Sequence, residues 1–206
     1  MSGRVADLES EPESVEPRSR SEWRAWLGAH AQDPRGIWLV LHKGAGSPLP
    51  YSEAVEEALA AGWIDSKANK LDAARYKVWM APRKRGSGWS PTNKERVARL
   101  TESGLMTARG LSVVEAAKAD RSWTALDAVM ALEIPPDLRN ALDADPTAAD
   151  FFERFPASSK RIILEWIRQT KNPETRRQRI EETVSQAAKN IRVHQWRQPG
   201  DQAGGR

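Results

Sequence analysis

Apolar positions recur with two different periods along this chain, and the change of period marks its elements. Trp23, Trp26, Leu27 and His30 fall at i, i+3, i+4 and i+7, which predicts a helix with one buried face behind Ser21 as its cap. The Asp33-Pro34 pair stops it. Residues 37–42 are almost continuously apolar and rich in branched side chains, the pattern of a strand covered on both faces. Ser52 then predicts the cap of a helix over 53–61, with acids in its first turn and Gly62 as its C-terminal glycine. Alternation in 63–66 and again in 75–80 predicts a hairpin joined through 69–74, with Pro82 ending the second strand. The Ser90-Pro91 pair opens a helix that runs to Gly104. A further helix over 107–119 sets Leu111, Val114, Ala117 and Lys118 on successive turns.

Beyond a connector that ends at Ile134-Pro135-Pro136 every signal is helical. Leu138, Ala141 and Leu142 share a face, and the Asp145-Pro146 pair starts a turn sequence through Ala148, Phe151, Phe152 and Phe155. Ile162, Ile163, Trp166 and Ile167 form the next stripe, and Asn172-Pro173 opens a last helix lined by Ile180, Val184, Ala187 and Ile191. The fold class expected is α+β. A small antiparallel sheet of about three strands flanked by helices (21–125) leads through a connector (126–135) to an all-helical module (136–192). Residues 1–20, acidic and proline-bearing, and 193–206, rich in Gly and Gln, are expected to be disordered tails.

Charge sharpens this picture at one place. The net charge is only +4, yet residues 66–99 hold ten Lys or Arg against two Asp or Glu. Residues 160–179 hold seven against two. No cysteine is present and the three histidines are far apart, so disulfides, thiolate metal sites and a cysteine nucleophile are excluded and no metal or cofactor is expected. No run approaches the roughly 18 apolar residues of a membrane span. The N-terminus carries no secretory pattern, so a cytoplasmic location is the expectation.

Several ordered motifs carry a resemblance. The run Tyr51-x-Glu53-Ala54-x-x-x-Ala58-Leu59-x-x-Gly62-Trp63-Ile64-Asp65-Ser66 is followed by Pro82-Arg83, Ser87-x-Trp89-Ser90-x-x-Asn93 and Gly104-x-Met106-x-x-x-Gly110. In the second half stands Trp166-Ile167-x-x-x-Lys171-x-Pro173-Glu174-Thr175-Arg176-x-x-Arg179-Ile180. Together they resemble the bacterial YdeI/OmpD-associated (OmdA) family over about residues 21–192. The resemblance implies a protein acting in bacteriocin or antimicrobial-peptide protection or stress tolerance; it supplies no mechanism and no catalytic residue.

The candidate ligand site is the stretch where Trp63, Asp65, Arg83, Ser87, Trp89, Ser90 and Asn93 are expected to converge. Aromatic plates, guanidinium groups and a glycine-freed backbone together suit an anionic or planar ligand. Lys67, Lys70, Lys77, Lys84 and Arg85 would form a basic surface around it, with Arg75 also on the hairpin. Trp79 or Trp89 would serve as a stacking plate, a combination that single-stranded nucleic acid or a nucleotide also favours. Arg176, Arg177 and Arg179 would offer the helical module's positive charge to an acidic protein partner. An enzyme would use Asp65 as acid or base beside Arg83; the two could equally form a structural ion pair. The chain lacks a nucleophile elbow, a phosphate-binding glycine loop and paired metal carboxylates, so binding without catalysis is the reading adopted.

Overall fold

The computed structural model describes residues 13–195. The chain divides into two compact units, one up to Thr124 and one from Ala125, and each has its own apolar core.

The first unit contains a four-stranded sheet in the order β1-β2-β4-β3, where β1 is Ser14–Val15, β2 Ile37–His42, β3 Trp63–Lys70 and β4 Arg75–Pro82. The hairpin β3–β4 and the β2–β4 pair are antiparallel, as expected. The fourth strand, β1, runs parallel to β2 and lies in a segment expected to be a tail. What holds it there is tertiary: the Trp38 amide donates to the Glu13 carbonyl at 2.9 Å, and Val15 packs on the core. Glu16 takes hydrogen bonds from His42 at 2.7 Å and Arg75 at 2.8 Å. A composition-based reading sees five acids in the first 17 residues and misses such partners. The rest of that tail, to residue 12, lies outside the described residues.

Among the described residues four helices complete the unit: α1 (Arg20–Ala29), α2 (Tyr51–Ala60), α3 (Pro91–Glu102) and α4 (Ala108–Ala119). The cap of α1 is Ser19, whose hydroxyl accepts from the Glu22 amide at 3.1 Å; Ser21 sits inside the first turn. Helix α2 starts behind Pro50, whose fixed φ of −61° leads into the helix without a side-chain cap, so Ser52 is helical. Trp23, Leu27, Val55, Leu59, Val97 and Leu100 meet Ile37, Leu39, Leu41, Val78 and Met80 in one core. Within it Glu57 of α2 is only 3% exposed and is clamped by Arg20 and Arg24 of α1, each at 2.6 Å. Trp38, Val40 and Trp79 alternate with the inward residues and therefore stand on the face away from the helices.

The second unit is helical: α5 (Asp127–Met130), α6 (Pro136–Asp143), α7 (Pro146–Arg154), α8 (Ala157–Arg168) and α9 (Pro173–Ala187). Helix α5 occupies part of the expected connector. Leu138, Leu142, Phe152, Ile163, Ile167 and Ile180 form the core. Past α9 the expected tail still carries structure at its start: Val193 is buried, His194 stacks on Trp166 with ring centroids 5.2 Å apart, and Gln195 donates to the Ser159 carbonyl at 3.3 Å. Residues from 196 on lie outside the described residues. Among the described residues no helix is long and apolar enough to cross a membrane.

Candidate functional site

The site is built around the C-terminal end of α2. Gly62, at φ +79°, turns the chain from α2 into β3, a conformation that glycine adopts without Cβ strain. The two carbonyls flanking Ala61 organise what surrounds them. Ala60 accepts from both the amide (3.0 Å) and the hydroxyl (2.7 Å) of Thr107, the cap of α4, while Gly62 accepts the Arg83 amide at 3.0 Å. Gly110 lies so close to Ala60 that a Cβ there would run into its carbonyl oxygen. One helix end thus fixes both α4 and the start of the loop 83–88.

That loop closes on itself. Gly86 takes φ +77°, Ser87 donates its hydroxyl to the Lys84 carbonyl at 2.6 Å, and Arg83 Nη2 donates to the Gly88 carbonyl. Asp120, just past α4, is drawn below the ordinary carboxyl range by the Ser122 hydroxyl first, then by the Ser122 amide, from which it accepts at 2.9 Å, and by the Gly86 amide. Between loop and helix lies a cavity of about 370 Å³, walled by Arg83, Ser87 and Trp89 on one side and Val113, Ala116 and Ala117 on the other.

Arg83 is the unusual group in this wall. It is 8% exposed, and its guanidinium lies 3.6 Å from the centre of the Trp89 ring. Its Nε and Nη1 are buried without a hydrogen-bond partner among the described residues. Burial pulls its pKa down to about 10, against the opposing charge of Asp65. No ion pair joins the two side chains among the described residues, however; the Asp65 carboxylate accepts from the Tyr51 hydroxyl at 2.6 Å. Tyr51 in turn is pushed up to about 12, by burial first and then by that bond.

The seven expected site residues are therefore distributed. Arg83, Ser87 and Trp89 share the cavity. Trp63 is fully buried edge-on to Trp26 at 5.8 Å, and its indole Nε1 also has no partner among the described residues. Ser90 caps α3 through the Asn93 amide, and the Asn93 side chain accepts from Arg96 at 3.0 Å. Trp89 is 2% exposed and backed by Trp123 at 4.9 Å, so it is a wall and not an open stacking plate. Ala117 was read only as part of an apolar stripe, and Ser112, Val113, Ala116 and Ser122 went unmarked in the sequence. Their signal is a run of short side chains at 112, 113 and 116, beside the apolar stripe that includes Ala117.

The basic surface is also distributed. Lys84 and Arg85 border the cavity, and Lys70 is exposed near the end of β3. Lys67 and Lys77 lie over the Trp38 ring at 5.4 and 4.6 Å, beside the edge-to-face Trp38–Trp79 pair. Arg75 is bound to Glu16 and Asp72. In the helical unit Arg176 pairs with Asp137 at 2.6 Å, Arg177 with Glu174 and Glu181, and Arg179 donates to the Trp166 carbonyl while stacking over that ring. The three arginines expected to face an acidic partner are thus engaged within their own unit. Among the described residues no three His, Asp or Glu side chains gather as a metal site.

The chain is thus a small α+β unit with a cation-walled cavity, followed by a helical unit. Residues 131–190, within the helical unit, match the family described as Bacteriocin-protection, YdeI or OmpD-Associated. Residues 15–113 match a different model, a Domain of unknown function (DUF8412), so the motifs from Tyr51 to Gly110 fall under that description. No curated protein and no solved structure matches the chain.

Proposed function

We propose that this is a non-catalytic, cytoplasmic binding protein that contributes to protection against bacteriocins or other antimicrobial peptides, or to stress tolerance, with its ligand site in the Arg83 cavity. One observation carries the binding half: a buried guanidinium with two nitrogens that have no partner among the described residues, in the wall of a cavity of about 370 Å³. A purely structural arginine at that depth is ordinarily paired, since an uncompensated buried charge costs several kcal/mol. Binding is favoured over catalysis because the nearby carboxylates are already engaged, Asp65 with Tyr51 and Asp120 with Ser122. The protective role rests on the family description alone.

The experiment is a thermal-unfolding screen of the full chain against a broad metabolite library. A true ligand at a hundredfold excess over its Kd stabilises by about 2.7 kcal/mol, and Ala116→Phe, which plugs the cavity, removes that shift. In cells lacking the chromosomal copy, Arg83→Met should fail to restore bacteriocin tolerance that the wild type restores. If nothing in the library stabilises the protein and Arg83→Met restores full tolerance, the proposal is wrong.

The lysines held over Trp38 and Trp79 favour a second reading, single-stranded nucleic acid on the sheet face away from the helices. Its mark is an affinity for oligonucleotides that falls steeply between 50 and 200 mM salt and is lost in the Lys67→Ala, Lys77→Ala double variant. Salt-independent or absent binding removes it.

A further inference from the structure

The lining of the cavity narrows the class of ligand, given that the cavity is the site. Its volume of about 370 Å³ lies near the lower end of the range of roughly 300–1,000 Å³ for small-molecule pockets. That is room for a compact molecule and not for a folded peptide or a nucleic-acid strand. Charge in the lining is one-sided: Arg83, Lys84 and Arg85 stand against the single carboxylate of Asp120. Asp120 is occupied by the amides of Ser122 and Gly86 and does not compensate Arg83. Asp65, the other acid whose field reaches Arg83, is taken by Tyr51.

The guanidinium itself sets the position of a negative group. Its ring-facing side is covered by Trp89 at 3.6 Å and Nη2 is committed to the Gly88 carbonyl, so Nε and Nη1, buried and without a partner among the described residues, are the groups left to meet it. Opposite, Val113, Ala116 and Ala117 present a smooth apolar wall with no large side chain. Such a surface gains nothing from a small hydrated ion but gains burial from a flat hydrocarbon or heteroaromatic body.

We infer that the Arg83 cavity binds a small acid in which one oxoanion, carboxylate or phosphate, is attached to a flat apolar body. The oxoanion sits on Arg83 and the body lies between the Trp89 side and the small-residue wall of α4.

The test uses calorimetry and ligand-observed NMR on the full chain with benzoate, phenyl phosphate, their neutral counterpart benzamide, and the bodiless ions acetate and inorganic phosphate. At least one of the two aryl acids should bind tenfold or more tightly than benzamide and than its own bodiless ion. The tighter of the two identifies the oxoanion. Arg83→Met, checked for folding by circular dichroism, should drop the acids to the level of benzamide. Ala116→Phe, which leaves Arg83 untouched, should abolish binding of both aryl acids. Equal binding of benzamide and benzoate would overturn the acid class while leaving the cavity as a binding site. Tight binding of acetate or phosphate alone would overturn the flat body. Silence from all five probes, while the metabolite screen still finds a ligand blocked by Ala116→Phe, would overturn this inference and not the binding function. Silence in both experiments overturns both.

Discussion

Two buried charges in the first unit behave oppositely, and the difference is in their partners. Glu57 is satisfied: burial pushes its carboxyl up, and the hydrogen bonds and charges of Arg24 and Arg20 outweigh burial, leaving the group below its ordinary value of 4.5. A carboxyl whose pKa is lower folded than unfolded adds stability above the unfolded value, and that gain is lost as pH falls through the folded value. Glu57→Ala should therefore cost about 2–3 kcal/mol at pH 7, below the roughly 3–5 of a fully buried pair because both arginines reach water. Urea titrations of wild type and variant should converge as the pH falls below 4.5. Arg83 is not satisfied, and Arg83→Met should leave stability unchanged or raise it by about 1–2 kcal/mol while removing acid binding. A loss above 2 kcal/mol in the same titration would mean that the arginine is a structural strut. Neither contrast could be read from the sequence. Glu57 looks like one acid among several on a helix, and Arg83 like one cation in a run of three; depth and partner decide the roles, and both are tertiary.

At the scale of elements, the periodic stretches were readable and their ends less so. The Trp23–Leu27 stripe, the 37–42 strand and the Ser90-Pro91 helix start follow directly from local pattern and capping chemistry. Ser19 and Pro50 displaced Ser21 and Ser52 because several residues near a helix start offer a plausible cap and packing chooses among them. The α2–α4 junction was invisible, since nothing local says that Gly110 must lack a Cβ in order to approach Ala60. Gly110→Ala gains helix propensity and still should lose about 2–3 kcal/mol, because the new methyl meets backbone rather than a movable side chain. Denaturant midpoints at constant m-value would measure it, and a stabilised variant would show that α4 can slide.

At the scale of the whole molecule, the purely helical patterning past residue 135 was legible, because it is a change of period and not of any single residue, whereas α5, inside the expected connector, was not. The short β1 was not, since two residues carry no period. Because each unit's core is formed from its own residues, fragments 1–124 and 125–206 should each fold. Circular dichroism with a cooperative melt from each fragment is the expected result. Seven of the nine tryptophans fall in the first fragment, so near-ultraviolet signals would follow it almost alone. The strand order also imposes a sequence in time. The β3–β4 hairpin needs only its own connecting turn, whereas β2 must wait for β4, and β1 for β2, across intervening helices. Such non-local pairings carry the loop-closure entropy that slows folding, while the helical unit is built mostly from neighbours in sequence. On a ribosome the α4 wall, with Asp120, Ser122 and Trp123 directly behind it, emerges after everything else the cavity rests on, so the cavity at Arg83 is among the last parts of its unit to exist.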